Sequence, residues 1–446
     1  MTESVKAFVD EVEAQLITDR RDFHRHAEAG WEEFRTASLV ARRLTDLGYK
    51  VSAGRQVIRD EDRMGLPSAK ALEASWQRAV EQGGDREYLE LVRGGFTGVV
   101  GVLENGDGPT VGIRFDMDSL AMTESRSEAH RPVKEGFVSV NENAAHTCGH
   151  DAHTALGLGL AQVLMKLKDG IRGRVKLIFQ PAEEGVRGAK SMVGAGVLDD
   201  VDYLLGLHVF SGWALGEINP GMGGFAATDK FDVLFTGAPA HAGGNPQEGK
   251  NALLAAAAAV LNLYAIPRHG DGATRVNVGK LEAGVGRNVV APDAYLVAET
   301  RGATSDLSQY MFERAVRVLE AAAEMYGCDL EIRAMGSAPS AESDGELADR
   351  VARVAGEIGG LKVLSPFESG GSEDLAYMMQ RVQEKGGLAT SIGLGADLYG
   401  ISYEAQEGRE AVLGAHTPEF DIDEGALRVA VDLLATVVLD IVGRTA

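Results

Sequence analysis

The order of apolar patterns along this chain predicts an α/β architecture: a mostly parallel, helix-covered sheet interrupted by an inserted ferredoxin-like βαββαβ domain. Three observations carry that expectation. Short β-rich runs at 98–103, 110–115, 174–179 and 203–209 are interleaved with a helical pattern at 152–167, as in sheets built from crossover connections. A self-contained strand-helix-strand-strand-helix-strand order follows between 230 and 332,. The chain's 446 residues are enough for two or three domains at roughly 150 residues each.

Taken in order, residues 5–49 set Phe8, Val12, Leu16, Phe23, Leu39, Leu44 and Leu47 at helical spacing,. Residues 53–95 are polar and charge-rich, with helical patches at 68–80 and 88–92, and read as a surface insertion. In the second unit, strands are expected at 230–236, 275–280, 294–301 and 329–332, and helices at 251–264 and 307–326. Helical patterns at 346–358, 375–382 and 422–441 return the chain to the first domain. The expected domains are therefore 1–228 with 334–446, and 229–333 inserted between them.

Composition narrows the function. With 66 acidic against 44 basic side chains the formal charge is −22, which repels polyphosphate and anionic lipid, so neither nucleic acid nor a membrane is an expected partner. The best candidate for a membrane span, 253–260 with its five-alanine run, falls far short of the roughly 18 residues needed. The first residues, Met-Thr-Glu-Ser-Val-Lys, show no leader pattern,. Cys148 and Cys328 are the only cysteines, too few for a disulfide framework and suited to the cytoplasm.

Candidate metal-binding residues fall where the sheet reading puts strand ends. Cys148-Gly-His150-Asp151 precedes the helix expected near Ala152; Glu183 and Glu184 follow the strand ending at Gln180; His208 ends the 203–209 run; His416 lies near the C-terminus. Thiolate, imidazole and carboxylate together suit Zn, Mn, Co or Ni better than Ca or Mg. A helix N-terminus and a metal would both favour the Cys148 thiolate. If the Glu183-Glu184 segment is extended, its side chains point opposite ways, one to a metal and one to a water. Each piece alone is a common structural residue, but strand ends are where an α/β sheet binds its ligand.

Rival motifs are weaker. Gly244–Lys250 has phosphate-loop spacing, yet Asn251 stands where Ser or Thr is required,. Ser372 lacks a nucleophile elbow, and its polar cluster reads as a cap for the helix near Leu375. Cys328 reads as core.

The ordered motifs Phe115-Asp-Met-Asp118, His146-Thr-Cys-Gly-His-Asp-Ala-His-Thr154, Phe179-Gln-Pro-Ala-Glu-Glu-Gly185, Gly206-Leu-His-Val209, Ala240-His-Ala-Gly243, Arg287-Asn-Val-Val-Ala-Pro292 and His416-Thr-Pro-Glu-Phe420 resemble those of the M20 metallopeptidase family, in its Cys-Gly-His-Asp amidohydrolase branch. The resemblance implies a hydrolase with two divalent ions per subunit, Mn or Zn, held by Cys148, His150, Glu184, His208 and His416, with Glu183 as general base. It implies that the inserted domain is a lid that pairs subunits, in a homodimer or with a related second subunit. It also implies that His241 stabilises the oxyanion in a partner's site and that Asn288 contacts substrate. Many members have His-x-Asp where this chain has Asp116-Met-Asp118, so that histidine ligand is missing. The segments Arg63–Pro67, Gly94–Gly98 and Met325–Gly327 narrow the likeness to members that cleave the amide between p-aminobenzoate and glutamate. Other N-acyl amino acids, hippurate-like or N-acetylated, are the alternative, and a non-catalytic partner subunit is a third reading. A dianionic glutamyl group needs positive charge, for which Lys230, Arg301 and Arg333 are the candidates, unless they form surface ion pairs.

Overall fold

The computed structural model describes residues 2–365, 370–403 and 414–443. In chain order it contains α1 (Thr2–Arg25), α2 (Phe34–Asp46), β1 (Lys50–Ala53), α3 (Ala69–Glu81), α4 (Arg86–Val92), β2 (Val99–Asn105), β3 (Thr110–Asp116), α5 (Arg131–Glu135), α6 (His150–Lys166), β4 (Gly173–Gln180), α7 (Ala189–Gly194), β5 (Tyr203–Phe210) and β6 (Glu217–Met222). It continues with β7 (Ala227–Thr236), α8 (Ala252–Tyr264), β8 (Thr274–Ala283), β9 (Asp293–Gly302), α9 (Ser305–Tyr326), β10 (Asp329–Ala338), α10 (Gly345–Ile358), β11 (Lys362–Val363), α11 (Leu375–Glu384), β12 (Leu388–Gly395) and α12 (Gly425–Val442). The chain divides into two compact units, residues 1–223 with 342–368 and 377–446, and residues 224–341 with 369–376.

The first unit is built on a sheet ordered β1-β2-β4-β3-β5-β12-β6-β11. Pairing is parallel across β4-β3-β5-β12. It turns antiparallel at β2 on one side and β6 on the other, so the parallel sheet expected from the sequence is the centre of a mixed one. The stripe Val5, Val9, Val12, Leu16 and Phe23 of α1 is buried and packs with α6 and α12. Every residue of α6 from His150 to Ala161 is buried, which explains why that helix is apolar on all sides. The carboxyl ends of β3, β4 and β5 and the first turn of α6 share one edge of the sheet, where such folds bind ligands.

Residues 53–95 depart from the expected surface insertion. Val57, Ile58, Leu89 and Val92 are buried, and the Trp31 indole N–H donates to the Met64 carbonyl at 2.8 Å. The stretch is polar overall, but its apolar residues close over α2, whose contacts with α3 and α4 seal that flank.

The second unit holds an antiparallel sheet ordered β10-β7-β9-β8, the strand order of a ferredoxin-like βαββαβ fold. Phe231, Val233 and Phe235 alternate inward from β7 onto Ala255, Ala259, Met311, Ala315 and Leu319 of α8 and α9,. Cys328 belongs to this core. Asn251 caps α8, its side chain accepting from Leu254 N, which is the structural use of the residue that spoiled the phosphate-loop pattern. β7 starts at Ala227 and β10 runs to Ala338, past the limits of 229 and 333 drawn from the sequence, because strand pairing continues through Thr228 and Ala338. No described helix is long and apolar enough to cross a membrane.

Candidate metal centre

Gly149 sets the geometry of the site. Its φ of 95° lies in the left-handed region, and a Cβ there would sit 2.5 Å from Val209 Cγ2, so only glycine lets the loop before α6 lie against β5. The result is Cys148 Sγ 3.5 Å from His208 Nε2. Two overlapping groups, Cys148–His150–His208 and Cys148–Glu184–His416, each place one donor atom per residue within 4.8 Å of the others, and so does His150–Glu183–Glu184. All five residues expected to be ligands are thus brought into overlapping groups, with Glu183 beside them, and Cys148 is common to two groups.

Backbone contacts orient the imidazoles. His150 Nδ1–H donates to the Asp118 carbonyl at 2.9 Å and His208 Nδ1–H to the Val209 carbonyl at 2.7 Å, so in each ring Nε2 is the nitrogen turned to the cluster. His153 is different: its Nε2 accepts the Val209 N–H at 3.0 Å and its Nδ1–H donates to Asp116. Both nitrogens are used, so His153 is a buttress, although Asp116, His150 and His153 also lie close together. Asp116 is further held by Arg114.

The electrostatics favour a cation. Burial pushes the Cys148 thiol up to about 12, so the thiolate expected from the helix N-terminus needs a metal beside it. Burial and the neighbouring His153 drive His208 well below its ordinary value, which keeps it neutral as a ligand must be,. Burial also works against charge on His150, but Asp116 and Cys148 outweigh it and hold that ring well above its ordinary value, so without an ion its Nε2 carries a proton that a metal would have to displace. His150 Nε2 and Glu184 Oε1 are buried with no hydrogen-bond partner. Their charged neighbours include other members of the cluster, the His416 imidazole 3.4 Å from Glu184 Oε1 and the Glu183 carboxylate 3.9 Å from His150 Nε2, an arrangement of donors that fits a divalent ion.

The paired glutamates do not lie on extended chain. They sit in a turn closed by Val186 N–H on the Glu183 carbonyl, entered through Ala182 at φ 52°. Both side chains therefore reach the same cluster instead of pointing apart. Three consecutive amides of this turn are held by buried carboxylates: Ala182 N–H by Glu33 at 2.7 Å, and Glu183 and Glu184 N–H by Asp118 at 2.9 Å each. Glu33 also accepts from Thr97 at 2.6 Å, and burial, with Asp118 adding to it, raises its carboxyl to about 8. Asp118 thereby acquires a role, and Glu33 is a supporting residue that sequence reading missed.

A second buried network supports the other loops. The fully buried Arg20 of α1 pairs with Asp151 at 2.7 Å, Asp421 at 2.6 Å and Glu424 at 3.3 Å. His24, one turn on, bridges Asp151 at 2.8 Å and Glu124 at 2.9 Å. Burial disfavours the imidazolium, but the hydrogen bonds to Asp151 and Glu124 raise it to about 9. A raised folded pKa stabilises fully below the unfolded value near 6.5 and stops stabilising as pH climbs through about 9. The thermal midpoint should accordingly fall from pH 7 to 9.5 more steeply in the native chain than in His24→Gln. Parallel slopes in calorimetry would remove His24 from the account.

In the second unit, His241 Nδ1 accepts the N–H groups of Gly243 at 3.1 Å and Gly244 at 3.0 Å. The ring proton therefore resides on Nε2, and the exposed imidazole presents a donor. Asn288 is its neighbour, the Asn288 carbonyl accepting from Ala242 N–H at 3.1 Å. The proposed carboxylate readers are otherwise engaged. Arg333 is forked onto Glu331 at 2.7 and 2.8 Å, Arg301 onto Glu299 at 3.0 and 3.2 Å, and Lys230 lies 3.8 Å from Glu299. In each fork the partner sits two positions earlier on one strand face, giving the surface ion pairs of the alternative reading. The Ser372 hydroxyl donates to the Ala226 carbonyl, while Glu373 accepts the Leu375 N–H, so Glu373 and not Ser372 makes that capping contact.

A sheet-edge cluster of thiol, imidazole and carboxylate donors beside a second glutamate defines a metal-dependent hydrolase. The model of peptidase family M20/M25/M40 matches residues 112–440, and the chain belongs to that family. It is 47% identical to an indole-3-acetyl-aspartic acid hydrolase of Enterobacter agglomerans, covering 97% of each chain. It is 46% identical to one of the subunits of the p-aminobenzoyl-glutamate hydrolase of Escherichia coli, covering 98% of each. Among solved structures, an aminobenzoyl-glutamate utilization protein of Klebsiella pneumoniae superposes with a TM-score of 0.83 at 42% identity over 98% of both chains. A dinuclear metal-binding M20 peptidase of Bacillus subtilis gives 0.65 at 25% over 98% of this chain and 99% of that one.

Proposed function

We propose that the protein hydrolyses the amide bond of p-aminobenzoyl-glutamate, releasing p-aminobenzoate and glutamate. The observation that carries this reading is the set of overlapping donor groups formed by Cys148, His150, Glu184, His208 and His416, with Glu183 beside them, in a chain that matches the Escherichia coli hydrolase chain over 98% of each. A second reading, indole-3-acetyl-aspartate as substrate, has equal support in identity. Both are amides of an aromatic acid with an acidic amino acid.

Cys148, His150, Glu184, His208 and His416 would hold two divalent ions, Mn or Zn. Ions bound there supply Lewis acidity, polarising the scissile carbonyl and acidifying water. Glu183 accepts the proton of the attacking water and delivers it to the leaving amine nitrogen. His241 of a paired protomer donates its Nε2–H to the developing oxyanion, a contact whose loss typically costs about 2.7–4 kcal/mol of barrier, and Asn288 beside it contacts substrate. For the substrate carboxylates, Lys230, the most loosely paired cation, stands ahead of Arg301 and Arg333, each of which must first release a glutamate. Pairing would be with a second copy or a related chain, in keeping with the exposed Leu254, Leu261, Tyr264, Leu281 and Val285 of the second unit.

The test is the purified chain, loaded with Mn or Zn and given p-aminobenzoyl-glutamate and indole-3-acetyl-aspartate in parallel. Release of arylamine that stops on chelation and returns with metal is the expected result. A metal-loaded preparation inert toward both conjugates would leave the non-catalytic partner role standing.

A further inference from the structure

The acyl side of the site has a built feature that no metal ligand requires. Along β5 the residues alternate, with Val209 packed inward and His208 and Phe210 on the opposite face, both half-buried,. The Phe210 ring centroid lies 4.9 Å from that of His208. Behind Phe210, Trp213 stacks at 4.6 Å with an interplanar angle of 20°, and Tyr403 meets Trp213 edge-on at 5.4 Å.

The neighbouring strand is shaped for this stack. A Cβ at Gly393 of β12 would lie 2.6 Å from the Trp213 ring, and one at Gly395 would lie 2.0 Å from the Ala214 carbonyl oxygen. Glycine at both positions gives the indole and its backbone their room. The connecting turn is pinned by Gly212 N–H on Asp397 at 2.8 Å and Asp397 N–H on the Trp213 carbonyl at 2.9 Å. A large, partly exposed aromatic ring is thereby fixed in place next to a candidate metal ligand. Phe210 shares its face of β5 with His208, whose Nε2 is turned to the donor cluster.

We propose that Phe210, held by Trp213, is the specificity-determining surface on which the aromatic acyl group of the substrate lies. This rests on the acyl-amino-acid reading above and deepens it by assigning the acyl class. An aryl ring joined to the scissile carbonyl directly or through one methylene stays within stacking reach of a residue that borders His208. An alkyl acyl group of the acetyl type gains little from the same surface.

The experiment compares kcat/KM for p-aminobenzoyl-glutamate and N-acetyl-glutamate in the metal-loaded native chain, Phe210→Ala and Phe210→Trp, with metal content measured for each. Phe210→Ala should lower the aryl-to-acetyl ratio by about tenfold or more, chiefly through KM, and Phe210→Trp should restore most of it. Gly393→Ala, whose added methyl meets the Trp213 ring, should lower the ratio in the same direction, with metal content showing that His208, its partner across the strands, still holds its ion. Inhibition by the product p-aminobenzoate supplies a second readout, its inhibition constant rising about tenfold in Phe210→Ala while that of glutamate stays put. An unchanged ratio together with an unchanged p-aminobenzoate constant overturns the assignment and leaves the proposed hydrolysis intact. A native chain that cleaves neither conjugate overturns both.

Discussion

Glu183→Gln is expected to cut turnover of an acyl-amino-acid substrate by about 10²–10⁴-fold, the usual worth of a general base, with the bound metal retained. The substitution preserves shape and leaves the Glu183 N–H on Asp118, so the turn that also carries Glu184 is undisturbed. Only the ability to take a proton is lost. The Glu183 carboxylate lies 3.9 Å from His150 Nε2, close to the cluster yet additional to the five expected ligands. Metal analysis beside single-turnover kinetics separates the roles. A fall of less than tenfold would assign the base elsewhere, and a loss of metal parallel to the loss of rate would make Glu183 a ligand.

Arg20→Met should destabilise the chain by about 3–5 kcal/mol, the penalty for leaving buried carboxylates without their counter-charge. Asp151, Asp421 and Glu424 all lean on this one guanidinium, and Arg20 and Asp151 are wholly buried. Asp151 follows His150 directly, and Asp421 lies five positions after His416, so the arginine ties the two ends of the candidate site to α1. Metal affinity should therefore weaken along with stability. In a double-mutant cycle, Asp151→Asn should recover part of the loss, because the residues share one network. Urea denaturation measures both, and a single-variant effect under about 1 kcal/mol would mean that the network is replaceable by packing.

The ligands were legible because their chemistry is uncommon and their positions fall where strands end. Residue type and a coarse element map marked Cys148, His150, Glu183, Glu184, His208 and His416 as candidates, while the division of Glu184 as ligand from Glu183 as base came from the family resemblance. The supports were not legible, since Glu33 meets Ala182 149 positions away and Arg20 meets Asp151 131 positions away, and no local pattern announces such partners. β12, Leu-Ala-Thr-Ser-Ile-Gly-Leu-Gly, is almost wholly buried and so lacks the two-residue alternation that betrays a half-exposed strand. β6 carries Pro220 and Gly221, which read as a turn. The engagement of Arg301 and Arg333 was available in the sequence after all: Glu-x-Arg on a strand puts both side chains on one face. The turn at Glu183 and Glu184 was not, because nothing local foretells that Ala182 takes a positive φ.

The tie between Arg20 and Glu424 spans 404 positions. At roughly 5–20 residues per second of synthesis, about 20–80 s separate the appearance of the two residues on the ribosome. Asp151, 131 positions on, is the first of Arg20's acidic partners to be made, and Asp421 and Glu424 complete the set only near the end of synthesis. The candidate donor set is likewise complete only once His416 has been added, so a chain ending before that position lacks one of its members.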